Sequence, residues 1–231
     1  MDWNILIKVA RLHLVDRASL TVLPWSVLAI AFTVCLAVAA SLSRYHAQIP
    51  TGGVASIFLV FFVIGVLSVT HSLPFALTLG VSRRSYYAGT ALLAVGLAVV
   101  NGLALAMLGL IEGASNGWGV GLHFFRVAYI LPGPWYVIWL TSAVVLALVF
   151  LYGMWVGLVY RRWNWPGLLA FGAAQAVVVV AMVIATSRAG AWAAVGRFFT
   201  TLGAPGLTGL LAALAVVLLV GGYATMRRVT V

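Results

Sequence analysis

Carboxylates are almost missing from this sequence. Among 231 residues there are three, Asp2, Asp16 and Glu112, two before the first long apolar run and one far beyond it, so no paired-carboxylate acid–base site can assemble in the apolar part of one chain. Lys8 is the only lysine. No Gly-rich turn ends in Lys-Ser or Lys-Thr, which excludes a phosphate-binding loop and ATP hydrolysis by the chain alone. The single cysteine, Cys35, sits inside an apolar run and excludes both an intrachain disulfide and a cysteine metal cluster. His13, His46, His71 and His123 are scattered without metal-ligand spacing.

Charge of any kind is scarce: 7% of residues are Asp, Glu, Lys or Arg, against roughly 25% in soluble domains. A soluble globule of this size would have to expose apolar patches far larger than monomers tolerate. What is abundant is apolar sequence, 65% of residues with a mean hydropathy of +1.17, in runs longer than about 18 residues. The expected fold class is therefore all-α, a polytopic membrane protein; a β-barrel would alternate with period two instead. The net charge of +10 does not indicate nucleic acid, because the basic residues stand singly or in pairs between apolar runs instead of gathering on one face. The first 19 residues mix Asp2, Lys8, Arg11, His13, Asp16 and Arg17 with apolar ones, unlike a cleavable signal peptide.

Periodicity predicts an amphipathic interface helix over 2–18, with Trp3, Ile7, Ala10 and Leu14 on one face and Asn4, Lys8 and Arg11 on another. Six spans are predicted to follow, over 20–43, 54–79, 88–111, 135–160, 167–187 and 207–226. The whole chain reads as one transmembrane domain. A cytoplasmic N-terminus puts Lys8, Arg11, Arg17, Arg83, Arg84, Arg161, Arg162, Arg227 and Arg228 inside and leaves Arg44, Arg126, Arg188 and Arg197 outside, which satisfies the positive-inside rule and makes both termini cytoplasmic. Trp135, Tyr136 and Trp139, and at the other end Tyr152, Trp155, Tyr160 and Trp163, read as aromatic belts. The outer loops 112–134 and 188–205 keep aromatic residues and are expected to dip into the interface.

Polar residues within the spans are few. His71 and Thr70 in the second, Asn101 in the third and Gln175 in the fifth must find partners, either across helices or along a hydrated path. Ser68 and His71 share a helical face, better read as helix packing than as a catalytic dyad. Gly153 and Gly157 form a GxxxG pair that permits close helix approach and is a candidate dimer seam.

The most informative segment runs Leu79-Gly80-Val81-Ser82-Arg83-Arg84-Ser85-Tyr86-Tyr87: an apolar span ends at a glycine, a turn follows, and two arginines and two tyrosines precede the next span. The segment resembles the first cytoplasmic loop of ATP-binding cassette (ABC) exporter permeases of the second type. The resemblance extends to the N-terminal helix, the six spans and the Arg-Arg ending after the fourth. It implies that Leu79 to Tyr87 couples the chain to a separate ATPase subunit, with Arg83 and Arg84 pairing with the partner's carboxylates and Tyr86 and Tyr87 supplying contact area. Trp3, Ile7, Lys8, Arg11 and Leu14 would form the flanking interface helix. It further implies a permease subunit of an exporter, without a nucleotide-binding domain of its own, acting as a homodimer or with a homologous permease in a bacterial cytoplasmic membrane; ATP and Mg would bind the partner. The competing readings are a stand-alone secondary carrier or channel, and a non-transporting membrane assembly protein. Carriers favour intramembrane ionisable residues and broken helices, for which Pro74 is the one mid-chain candidate. The purified chain is expected to show no magnesium-dependent ATP hydrolysis; turnover that survives removal of every co-purifying protein would contradict this.

Overall fold

The computed structural model describes residues 18–42, 49–126 and 134–226. The expected interface helix, with Trp3, Ile7, Lys8, Arg11 and Leu14, lies outside the described residues, as do both termini. Among the described residues, five helices are long and apolar enough to cross a bilayer: α1 (Leu20–Leu42), α2 (Ala55–Thr78), α3 (Arg83–Ala114), α4 (Trp135–Arg188) and α5 (Trp192–Met226). The fold is all-α and of the multi-pass membrane type. Among the described residues there is one sheet element, a parallel pairing of Ile49–Pro50 (β1) with Leu122–His123 (β2).

Proline leaves the same mark twice. A π-helical turn, Ala18–Val22, overlaps the start of α1 immediately before Leu23-Pro24, and α2 contains another, Ser68–Ser72, immediately before Leu73-Pro74. A proline ring collides with the carbonyl four residues earlier and offers no N–H to it. Widening the preceding turn relieves the collision without ending the helix. Pro74 therefore widens α2 and does not break it.

α4 holds 54 residues and would extend about 81 Å if straight. It is not straight, because Asn164 adopts φ 53° and ψ −152°, and the chain doubles back there. Side chains pair across the bend at growing separation: the Tyr160 and Trp165 rings lie 5.9 Å apart and those of Trp155 and Phe171 5.1 Å, and the Tyr152 hydroxyl donates to Gln175 Oε1 at 2.8 Å. The two limbs correspond to the fourth and fifth predicted spans. α5 is similarly interrupted at Gly203 (φ 59°) ahead of Pro205. The segment before it, expected as an outer loop over 188–205, is helical from Trp192, since no proline intervenes and alanines favour the helix.

The first limb of α4 is the centre of the bundle. α2, α3 and α5 all pack on it, around the fully buried Leu146, Phe150, Met154 and Leu158. Glycine sets the spacing. A Cβ at Gly65 would run into the Phe150 carbonyl oxygen and one at Gly153 into that of Phe62, while one at Gly157 would lie 3.0 Å from the Val66 oxygen. A Cβ at Gly102 would come within 2.8 Å of the Ala143 nitrogen. The GxxxG pair is thus consumed inside the chain, against α2, and is not a free dimer seam. Gly153→Leu should force α2 off α4 and lower the thermal unfolding temperature in detergent, by overpacking of about 1–3 kcal/mol or more. Gly172→Leu, where a Cβ would meet nothing, should leave it within a degree or two of wild type; equal effects would place the contact elsewhere.

Candidate functional site

Leu79 and Gly80 open the predicted coupling segment. α2 ends in a Schellman turn: Gly80, at φ 79°, donates its N–H to the Leu77 carbonyl (3.0 Å), and Val81 donates to that of Ala76 (3.1 Å). Glycine suits the left-handed position this closure needs. Ser82 then caps α3, its Oγ accepting from the Ser85 N–H at 3.1 Å, which satisfies an otherwise orphan donor. The connection between the two helices is thus only Leu79 to Ser82. Arg83, Arg84, Ser85, Tyr86 and Tyr87 form the opening turns of α3, so the third predicted span starts five residues early and no separate short helix stands between α2 and α3.

The segment has two faces. Leu79, Gly80, Ser82 and Arg84 are exposed, and Val81, Arg83 and Ser85 are half-buried. Tyr86 and Tyr87 are 0% and 4% exposed, so the expectation that they present contact area to a partner does not hold in this chain. Their hydroxyls reach into the bundle instead: that of Tyr86 donates to the Ser68 carbonyl of α2, and that of Tyr87 to the Leu219 carbonyl of α5 at 2.8 Å. Gly222 makes room for the second bond, since a Cβ there would lie 2.5 Å from the Tyr87 oxygen. Consecutive residues at the start of α3 thereby tie it to two other helices, with rings that the 100° helical step aims in different directions.

The intramembrane polar residues separate. Asn101 is buried; its Oδ1 accepts from Trp25 Nε1 of α1 at 2.9 Å and its Nδ2 donates to the Leu97 carbonyl at 2.8 Å. Gln175 bridges the two limbs of α4 through Tyr152. Both are held by interhelical hydrogen bonds. The Thr70 hydroxyl donates back to Val66 (3.1 Å) and that of Ser68 to Gly65 (2.7 Å), so Ser68 is committed to its own helix. His71, beside it in the π-turn, is exposed and does not join the interior cluster.

The structure adds a site on Glu112 at the far end of α3. Glu112 is fully buried. Its Oε2 accepts from the backbone N–H of Phe124 (2.9 Å) and Phe125 (2.8 Å) and from Trp118 Nε1 (3.3 Å), and its Oε1 accepts from the Arg126 N–H (3.0 Å). Three successive amides converge on one anion, the arrangement that makes a backbone nest. His123 Nδ1 lies 3.8 Å away. The chain reaches this pose through Asn116, Gly117, Trp118, Gly119 and Gly121, all at positive φ; at Gly117 a Cβ would also press within 2.8 Å of the Leu122 nitrogen. Folded over the carboxylate, the segment packs Trp118 and Phe124 edge-on to Phe32 of α1, at 5.0 and 5.3 Å. Phe32 is midway along α1 (Leu20–Leu42), so this segment packs against the side of that helix. The sequence signal was a lone acid at the end of an apolar run, followed by Gly117, Gly119 and Gly121.

Among the described residues no group of three metal-ligating side chains exists. No protein-family model matches the chain, and no curated protein or solved structure matches it either. Glu112→Gln, which replaces one acceptor oxygen with a donor facing amide N–H groups, should destabilise the segment folded over it by about 1.5–3 kcal/mol. Limited proteolysis between residues 115 and 126 should accelerate accordingly; an unchanged cleavage rate would deny the carboxylate its organising role.

Proposed function

We propose that the chain is the membrane-spanning permease subunit of an ABC exporter, driven by a separate ATPase subunit that binds ATP and Mg. The observation that carries this reading is the short Leu79–Ser82 turn: together with the start of α3 it offers Leu79, Ser82 and Arg84 to a soluble partner, and the same helix start is bolted by Tyr86 to α2 and by Tyr87 to α5. A push on such a turn moves three helices as one body, as a coupling element must. Arg83 and Arg84 supply the forks that pair with carboxylates, and the sequence resemblance of the segment agrees.

In this reading the chain crosses the cytoplasmic membrane of a bacterium six times, the two limbs of α4 each spanning it, with both termini in the cytoplasm. The arginine distribution supports that orientation. A second copy, or a homologous permease, completes the path. Support for a partner comes from the second limb of α4, where none of residues 165–188 is buried, and from His71, an ionisable side chain turned away from the chain's own bundle.

Arg83→Lys combined with Arg84→Lys tests the coupling role, because lysine preserves the topological charge but cannot reproduce a bidentate guanidinium contact. The double variant should insert at wild-type levels yet lose co-purification of the ATPase or ATP-driven transport. Full retention of both at equal expression would refute it.

A further inference from the structure

At the end of the bundle that carries Arg84, an apolar groove of about 480 Å³ runs between α3 and α5. One wall is Arg84, Ala88, Leu92 and Val95 of α3; the other is Val220 and Tyr223 of α5. The small side chains of Ala88 and Ala91 hollow it out. Its floor is sealed by Tyr87, whose hydroxyl is already committed to the Leu219 carbonyl. Leu92, Val95 and Val220 along it are 46%, 44% and 60% exposed, so the groove faces the surroundings of the bundle and not its interior.

Two dimensions of the groove define an occupant. From Arg84 to Val95 it follows α3 for about 16 Å at 1.5 Å per residue, the depth of one leaflet, half of a hydrocarbon core about 30 Å thick. Its polarity changes once, at the mouth, where Arg84 is exposed. The only carboxylate among the described residues, Glu112, sits 28 positions further along the same helix and is fully buried. The start of α3 adds the positive end of its helix dipole to the same place. A linear apolar chain fits the walls, and an anion is what the mouth attracts.

We propose that this groove holds an acyl chain of an anionic phospholipid, with the lipid phosphate paired to the Arg84 guanidinium. The exposed cation at the mouth attracts the phosphate and donates charge-assisted hydrogen bonds to its oxygens, and the tail replaces loosely packed lipid along Ala88, Leu92 and Val220. The bound lipid would bridge α3 and α5 beside the Tyr87 contact and stiffen the unit that the coupling turn moves. The inference rests on the bundle crossing a bilayer. It does not depend on an ATPase partner.

Native mass spectrometry of the full-length chain from micelles doped with equal phosphatidylglycerol and phosphatidylcholine tests it. Wild type should retain phosphatidylglycerol preferentially. Arg84→Gln should reduce that preference about five-fold, the factor expected for one lost cation near a lipid surface. Ala88→Phe, which fills the groove and leaves the charge in place, should reduce retention of the lipid as a whole. Arg84→Lys keeps a phosphate-binding cation and should keep most of the preference, which separates this site from the guanidinium-dependent coupling role. Arg161→Gln, at another connection, should change nothing. A photo-crosslinking residue at Leu92 in membranes should yield a phospholipid adduct. Unchanged preference in Arg84→Gln, unchanged retention in Ala88→Phe, an equal loss in Arg161→Gln, or a polypeptide adduct at Leu92 would each overturn the proposal.

Discussion

Everything in this bundle is arranged around the near-contact of two backbones. Gly65 of α2 lies against the Phe150 carbonyl and Gly153 of α4 against that of Phe62, so the two helices approach as closely as their main chains allow. Lipid tails are as apolar as leucine, so no hydrophobic force holds helices together inside a membrane; close van der Waals packing must do so. Once α2 is set on the first limb of α4, the α3 seam at Gly102 and Ala143 and the α5 contact through Thr141 and Thr208, whose hydroxyl oxygens are 2.6 Å apart, take positions around the same helix.

The two ends of α3 solve opposite electrostatic problems with the same economy of charge. At its start, basic residues meet a helix terminus that already has positive polarity, and Tyr86 and Tyr87 tie it to α2 and α5. At its other end one carboxylate gathers a loop by recruiting backbone amides, so no arginine or lysine side chain is needed to neutralise it. α3 thus joins an exposed basic turn to an aromatic plug on α1 through one continuous helix. In a permease, such a helix would carry a displacement at one face of the membrane to the segment that closes the other.

The apolar pattern made the helices legible. The first two predicted spans match α1 and α2 within a residue or so, and the fourth and fifth match the limbs of α4, since runs of this length have no alternative to helix in hydrocarbon. The outer limits of α3 and the helix at Trp192 were less legible, because polar and aromatic residues near a boundary read equally well as loop or as frayed helix. The Ser82 cap decides the first. Tyr86 and Tyr87 looked like contact surface for the same reason: tyrosine next to arginine at a membrane boundary is ordinary belt composition, and only the position of Ser68 and Leu219 across the bundle turns both rings inward.

Composition and hydropathy by themselves determined that the protein is helical and of the membrane type, how many apolar stretches it has, and which chemistries it lacks, because those follow from what each residue can tolerate in hydrocarbon. Where the polar atoms go was decided only by tertiary structure. Asn101, Gln175, Tyr87 and Glu112 each find a partner 14 or more positions away or on another limb or helix, and the GxxxG pair meets α2 instead of a second copy. Such partners are selected by which helix faces come together, and a one-dimensional pattern carries the face of each helix but not the identity of the face opposite.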